Sequence, residues 1–204
     1  MGGEGVTVIA SDGPVGEEGY EIVCAADAAN RVFETLLSFG MNAVPFGYRT
    51  WDTLTLEAGT PLFDTELDGR IPNVLGIRNA LDFEKGCYVG QEIVSKVENR
   101  GRPSQRLVGL RLRLDPGGDD RLPDPGAAVT AGGDRIGEVT RAVESPSLEA
   151  TIALALVDFD AGFDVGGEPM SVGTDDGAID AVRAAPPFVD GSAVSERLPT
   201  YVEA

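Results

Sequence analysis

At Gly101-Arg102-Pro103 the chain changes its hydrophobic period, and that change limits the folds open to it. Before this point apolar residues recur at helical spacing; after it they alternate. Leu110, Leu112 and Leu114 alternate with Arg111 and Arg113, as in a strand with one face in water. Turn signals at Asp115-Pro116-Gly117-Gly118, Pro125-Gly126 and Gly132-Gly133 separate further strands over 127–129, 135–143, 151–157, 169–172 and 178–182. Short strands punctuated in this way predict a small antiparallel barrel or sandwich. Residues 191–204 carry no pattern and read as a loose tail. The division expected is 1–103, 104–190 and a tail over 191–204.

The first part mixes element types, so the fold class is α+β, with an N-terminal α/β lobe. Residues 6–10 form a β-branched run, Ser11-Asp12-Gly13-Pro14 a turn, and 19–24 a second strand. Asp27 is placed to N-cap a helix that runs to Ser38 and stops at Gly40. Ala29, Val32, Phe33, Leu36 and Leu37 would share its apolar face. A strand is expected over 43–46 and a helix over 49–57, closed by Gly59. Residues 60–81, rich in Pro, Gly and Asn, are expected to wrap the surface.

Composition narrows the class. The formal charge is -18 over 204 residues, and Lys85 and Lys96 are the only lysines. Acidic excess with depleted lysine suits a protein kept soluble in high salt, a halophile's composition. Hydrophobic residues make up 42%, too many for a disordered chain. Cys24 and Cys87 do not make a disulfide framework. With no histidine, imidazole metal sites and histidine general bases are excluded. No apolar run approaches the roughly 18 residues of a membrane span. The start is glycine-rich and acidic, unlike a signal peptide, so a cytoplasmic location is expected.

The segment Lys85-Gly86-Cys87-Tyr88-Val89-Gly90-Gln91-Glu92 concentrates the chemistry. It precedes a short helix over 91–99 with Ile93, Val94 and Val97 on one face. Gly86 and Gly90 permit positive φ or close approach. A cysteine before a helix N-terminus, with Lys85 nearby, is favoured as thiolate. The same residues also suit a plain glycine-rich turn. From Lys85 to Arg113, Lys85, Lys96, Arg100, Arg102, Arg106, Arg111 and Arg113 face only Glu92 and Glu98. Such a cluster in an acidic chain suggests an anion site or an internal match to acidic surface. Asp158-Phe159-Asp160 with Asp164 is an incomplete calcium pattern and is set aside.

The octet resembles the signature of YgfZ-type folate-binding proteins, relatives of the glycine-cleavage T-protein (aminomethyltransferase). Three further segments carry the resemblance. Gly16-Glu17-Glu18-Gly19-Tyr20-Glu21-Ile22 is similar to the family's Gly-Glu-x-Gly-Tyr-Glu-Ile. Residues 51–59 resemble Arg-Asp-x-Leu-Arg-Leu-Glu-Ala-Gly, with Trp51 and Thr55 in place of the two arginines. Gly137-Glu138-Val139-Thr140-Arg141 with Ser145-Pro146 is similar to Gly-x-Val-Thr-Ser…Ser-Pro of the C-terminal barrel, and Pro187-Phe188-Val189 to a terminal Pro-Phe.

The resemblance implies a partial T-protein-like folate-binding lobe followed by a barrel, with tetrahydrofolate as cofactor. It implies that Glu21 grips the pterin as a bidentate acceptor, with Tyr20, Trp51, Tyr88, Gln91 and Glu92 around it. Cys87 and Lys85 would be the reactive pair, and no metal is implied. The implied role is support of iron–sulfur protein assembly or repair and of tRNA modification, with iron–sulfur proteins as partners. A polyglutamate tail or tRNA would meet the basic cluster over 85–113. The alternatives are an aminomethyltransferase, a one-carbon transferase, and a non-catalytic interaction module. Family members begin upstream of the part matching Met1, and that upstream part carries one wall of the folate pocket and the aminomethyltransferase aspartate. The chain is then either a naturally short relative or a fragment; if it is short by nature, self-association is the economical way to cover the edges and apolar surface left bare.

Overall fold

The computed structural model describes residues 5–114, 122–161, 170–191 and 194–201. Its second half is a closed antiparallel barrel. The strands are β3 (Gln105–Arg113), β4 (Ala128–Ala131), β5 (Asp134–Ser145), β6 (Ala150–Asp158), β7 (Met170–Thr174) and β8 (Gly177–Ala184). They close in the order β3-β6-β5-β4-β7-β8, with β3 pairing to both β6 and β8. The strands expected in this half are all present, and closure decides for barrel over sandwich. The turn at Asp115–Gly118, Pro169 of the expected fifth strand and Asp164 lie outside the described residues.

β6 explains why its sequence is a continuous apolar run. Ala153, Ala155 and Val157 face the barrel interior with Leu110, Val129, Val139 and Val172. Ile152, Leu154 and Leu156 point outward, into a second cluster with Leu56, Leu75 and Leu107. Leu56 belongs to helix α2 (Tyr48–Glu57) and Leu75 to the single turn α3 (Pro72–Leu75). A strand covered on both faces must be apolar on both.

Polar bonds fasten this cover. The Glu57 carboxylate accepts from Ser145 Oγ at 2.5 Å and Ser147 Oγ at 3.2 Å. Its carbonyl accepts from the Phe188 and Val189 amides at 2.8 and 3.2 Å. Gly59 turns with φ 73°, and Pro186 stands where a Cβ would be.

The first residues differ. β1 (Val6–Ala10) and β2 (Tyr20–Cys24) pair antiparallel, Val8 opposite Ile22, as a two-stranded sheet. Helix α1 (Ala29–Phe39) follows and buries none of its residues, although its apolar face is the expected one. Asp27 does not cap it: a 3₁₀ turn over Ala26–Ala28 precedes it, and Ala28 is the N-cap, without a side-chain bond. Residues 43–46 are not a strand; Met41 and Asn42 at positive φ break the chain after Gly40 instead.

Residues 60–81 do not simply wrap the surface. Thr60, Glu66 and Leu75 are buried, through a π turn at Phe63–Leu67 and through α3. The expected loose tail is pinned at its described residues 197–201. Tyr201 donates its hydroxyl to the Val74 carbonyl at 2.7 Å and accepts the Leu107 amide at 2.6 Å. The Thr200 amide bonds the Gly76 carbonyl at 2.7 Å, and Arg197 pairs with Asp12 at 2.8 Å.

Candidate functional site

Helix α4 (Gln91–Arg100) starts at Gly90, whose φ of 91° needs a glycine. Gly86 has open space around it and no positive φ. Before the helix, Tyr88 accepts Lys85 over its ring at 4.7 Å, and the Tyr88 amide donates to Gln91 Oε1 at 3.2 Å. The signature segment thus folds on itself. Val94 and Val97 are half-buried on the side toward α3, whereas Ile93, expected beside them, is 59% exposed.

α4, the 3₁₀ turn at Arg78–Ala80 and the loop after it enclose a cleft of about 970 Å³. Lys85, Tyr88, Gln91 and Glu92 line it, with Arg78 and Phe83 opposite. Arg78 lies over the Phe83 ring at 4.9 Å and pairs with Glu98. Lys85, held against the Tyr88 ring, can meet an anion, whereas Arg78 is already paired, and the two rings offer flat apolar faces. A smaller cavity of about 250 Å³ adjoins it, walled by Asn73, Phe159 and Tyr201.

The other candidate residues stand elsewhere. Cys87 is exposed in the loop but is not among the residues lining the cleft. Glu21 is exposed on β2, opposite Ile9. Tyr20, on the other face, is 68% exposed. Trp51 is half-buried in α2, on the helix that covers the barrel. Of the basic cluster, Arg102 pairs with Asp160 at 2.7 Å, and Arg106 lies over the Phe159 ring at 5.6 Å. Part of that cluster therefore serves the fold itself. Among the described residues no group of His, Cys, Asp and Glu could hold a metal ion, and no helix is long and apolar enough to cross a membrane.

A buried charge pair joins the lobe to the barrel. A β-bulge between Val139 and Arg141 aims the Arg141 guanidinium outward, under α2. It donates to Thr55 Oγ1 and to the Thr60 carbonyl, both at 2.7 Å. It also faces Glu66 at 3.6 Å, and Glu66 is 0% exposed. Burial lowers the Arg141 pKa, and Glu66 opposes that shift. Tyr201 is a second residue the sequence did not flag; burial pushes its phenol well above the ordinary range.

Two family models match the sequence, one on each side of residues 86–104. Residues 3–85 match the GCVT N-terminal domain and residues 105–190 the glycine cleavage T-protein C-terminal barrel domain. The chain belongs to the glycine cleavage T-protein family. It is 35% identical over 157 residues to the aminomethyltransferase of Geobacillus kaustophilus, covering 75% of this chain and 42% of that protein. It is 38% identical over 157 residues to the aminomethyltransferase of Streptomyces coelicolor, covering 74% and 41%. The structure resembles that of the glycine cleavage system aminomethyltransferase T from Bartonella henselae. The TM-score is 0.71 at 25% identity, over 87% of this chain and 48% of that one. The chain thus spans under half the length of these T-protein relatives. In family terms, Thr55 and Arg141 stand where the motifs have arginine and serine. The two touch, Arg141 donating to Thr55 Oγ1 at the seam between α2 and the barrel.

Proposed function

We propose that this T-protein family member binds tetrahydrofolate and serves in the YgfZ manner, supporting iron–sulfur proteins and the tRNA modification that depends on them. The observation that carries the reading is the placement of the octet: Lys85, Tyr88, Gln91 and Glu92 line one wall of the large cleft. The cleft residues fit parts of the cofactor. The Glu92 carboxylate can accept the paired N–H donors of a pterin, Tyr88 offers a ring face, and Lys85 suits a carboxylate of the glutamyl tail. Glu21 and Trp51, which the resemblance puts at the pterin, stand outside the cleft. Tetrahydrofolate supplies ring nitrogens that carry one-carbon units. Cys87, exposed beside the cleft, is the reactive or recognition thiol.

Titration of the chain with tetrahydrofolate, wild type against Glu92→Gln and Lys85→Ala, tests this. Each substitution is expected to weaken binding by about tenfold or more, the cost of losing a charge-assisted hydrogen bond. Equal affinities would remove that residue from the site. The names of the curated relatives favour a second reading, aminomethyltransferase. Formation of methylene-tetrahydrofolate from an aminomethyl carrier would establish it in place of the first.

A further inference from the structure

Helix α4 begins without a side-chain cap. Its N-cap is Gly90, which has no side chain to offer, and the amides of a first helical turn lack partners within the helix. The turn before it closes in another way. Gly90 has φ 91° and ψ -1°, the conformation of the third residue in a type II turn. The Gln91 amide donates to the Tyr88 carbonyl at 3.3 Å, and the Tyr88 amide donates back to Gln91 Oε1 at 3.2 Å. Tyr88 and Gln91 are thus bonded twice, once through backbone alone and once through a side chain that reaches back three residues. A capping box takes the same step, and here it is set two residues earlier in the chain.

Little else fixes this turn. Val89 at its tip is 102% exposed, Tyr88 is 43% exposed, and Cys87 is exposed. A Cβ added at Gly86 would meet nothing within 4 Å, so the chain between Lys85 and Tyr88 has open space beside it. Burial alone cannot hold the Tyr88 ring where it is. Its backbone is tied to Gln91, and its face carries the Lys85 ammonium at 4.7 Å. Lys85, Tyr88 and Gln91 all line the large cleft.

We propose that Gln91 is a positioning residue of this cleft and not a contact of its ligand. The Gln91 Oε1 fixes the Tyr88 backbone, the Tyr88 ring fixes the Lys85 ammonium, and the ammonium meets the anionic end of the ligand. The resemblance puts Gln91 among the groups around the pterin, but its acceptor oxygen is already used within the loop. Only the identity of the ligand rests on the folate reading; the relay from Gln91 to Lys85 does not.

A double-mutant cycle read by tetrahydrofolate titration is the test. Gln91→Leu should weaken binding about threefold to tenfold, the worth of one neutral hydrogen bond. In a Lys85→Ala background the same substitution should add no further loss, because the cation it positions is gone. No loss in the wild-type background, or an equal loss in both, would overturn the proposal. Two NMR readouts need no ligand. The Lys85 ε-methylene protons should sit upfield, over the Tyr88 ring, and move in Gln91→Leu toward those of Lys96, the only other lysine. The Tyr88 amide should exchange faster in Gln91→Leu and stay protected in Gln91→Glu, whose carboxylate also accepts. Barrel melting monitored by circular dichroism checks that each variant folds. If tetrahydrofolate does not bind the wild type, the folate reading fails while the NMR readouts still decide the relay. An unmoved Lys85 signal or an unchanged Tyr88 exchange rate would overturn it.

Discussion

β1 and β6 are both built from β-branched and aliphatic residues, yet they end in opposite surroundings. β6 is buried from Thr151 to Val157, whereas every residue of β1 is exposed. Local propensity made both into strands. Cover came from topology: β6 has a neighbour on each edge, a barrel interior on one face and α2 with α3 on the other. Strand formation and burial are thus separate decisions, and only the first is local. A substitution in the covered region should cost stability in proportion to what surrounds it, and one in the bare region should cost little.

The largest effect should come where the two regions are tied. Arg141→Ala leaves the Glu66 carboxylate buried without its cation, a change that typically costs about 3–5 kcal/mol. Urea unfolding followed by Trp51 fluorescence measures it. Replacing both partners, Arg141→Met with Glu66→Leu, should recover most of the loss, because a buried pair contributes little over a well-packed apolar one. A double variant as weak as the single would show that the pair acts through its polar bonds to Thr55 and Thr60.

Next in size is the core itself. Leu154→Ala removes a side chain that is 0% exposed, at an expected cost of about 2–5 kcal/mol. Calorimetry should show a lowered midpoint with the transition still cooperative. A cost below about 1 kcal/mol would mean that the α2 cover collapses into the space.

These regions were unequally legible. The barrel could be read because alternation and turn signals are local, and β6 because a run apolar on both faces needs two covers. α1 was readable as an amphipathic helix, but nothing in its own residues tells what its apolar face meets. Asp27 looked like a cap, yet Ala28 holds that place because a 3₁₀ turn intervenes. Glu66 gave no signal, since a carboxylate in an irregular stretch reads as solvated until Arg141 arrives from far along the chain. The octet was readable as a loop before a helix. The cleft it lines was not, because the opposite wall comes from Arg78 and Phe83. Tyr201 acts through backbone groups of Val74 and Leu107, which no side-chain pattern records.

Tyr201 gives the third effect, and one with a sign in pH. Tyr201→Phe deletes a hydroxyl that serves two backbone groups, at an expected cost of about 1–3 kcal/mol below pH 10. Its folded pKa is raised by burial. The stability it contributes is therefore fully present below the ordinary phenol pKa of about 10 and is lost as pH rises toward the folded value. Over that window the wild type should lose up to about 1.4 kcal/mol per pH unit, a slope absent from Tyr201→Phe. Urea midpoints collected from neutral to strongly alkaline pH for both proteins test this; parallel curves would place the phenol in water.

The smallest effect bears most directly on the contrast. Phe39 is as apolar as any barrel residue but is 82% exposed at the end of α1. Phe39→Ser should shift the barrel's unfolding free energy by less than about 0.5 kcal/mol, read from urea unfolding followed by circular dichroism. A loss of several kcal/mol would mean that α1 packs within its own chain. The bare region would then be bare only in appearance, and the distinction between local strand formation and topological cover would no longer separate the two halves.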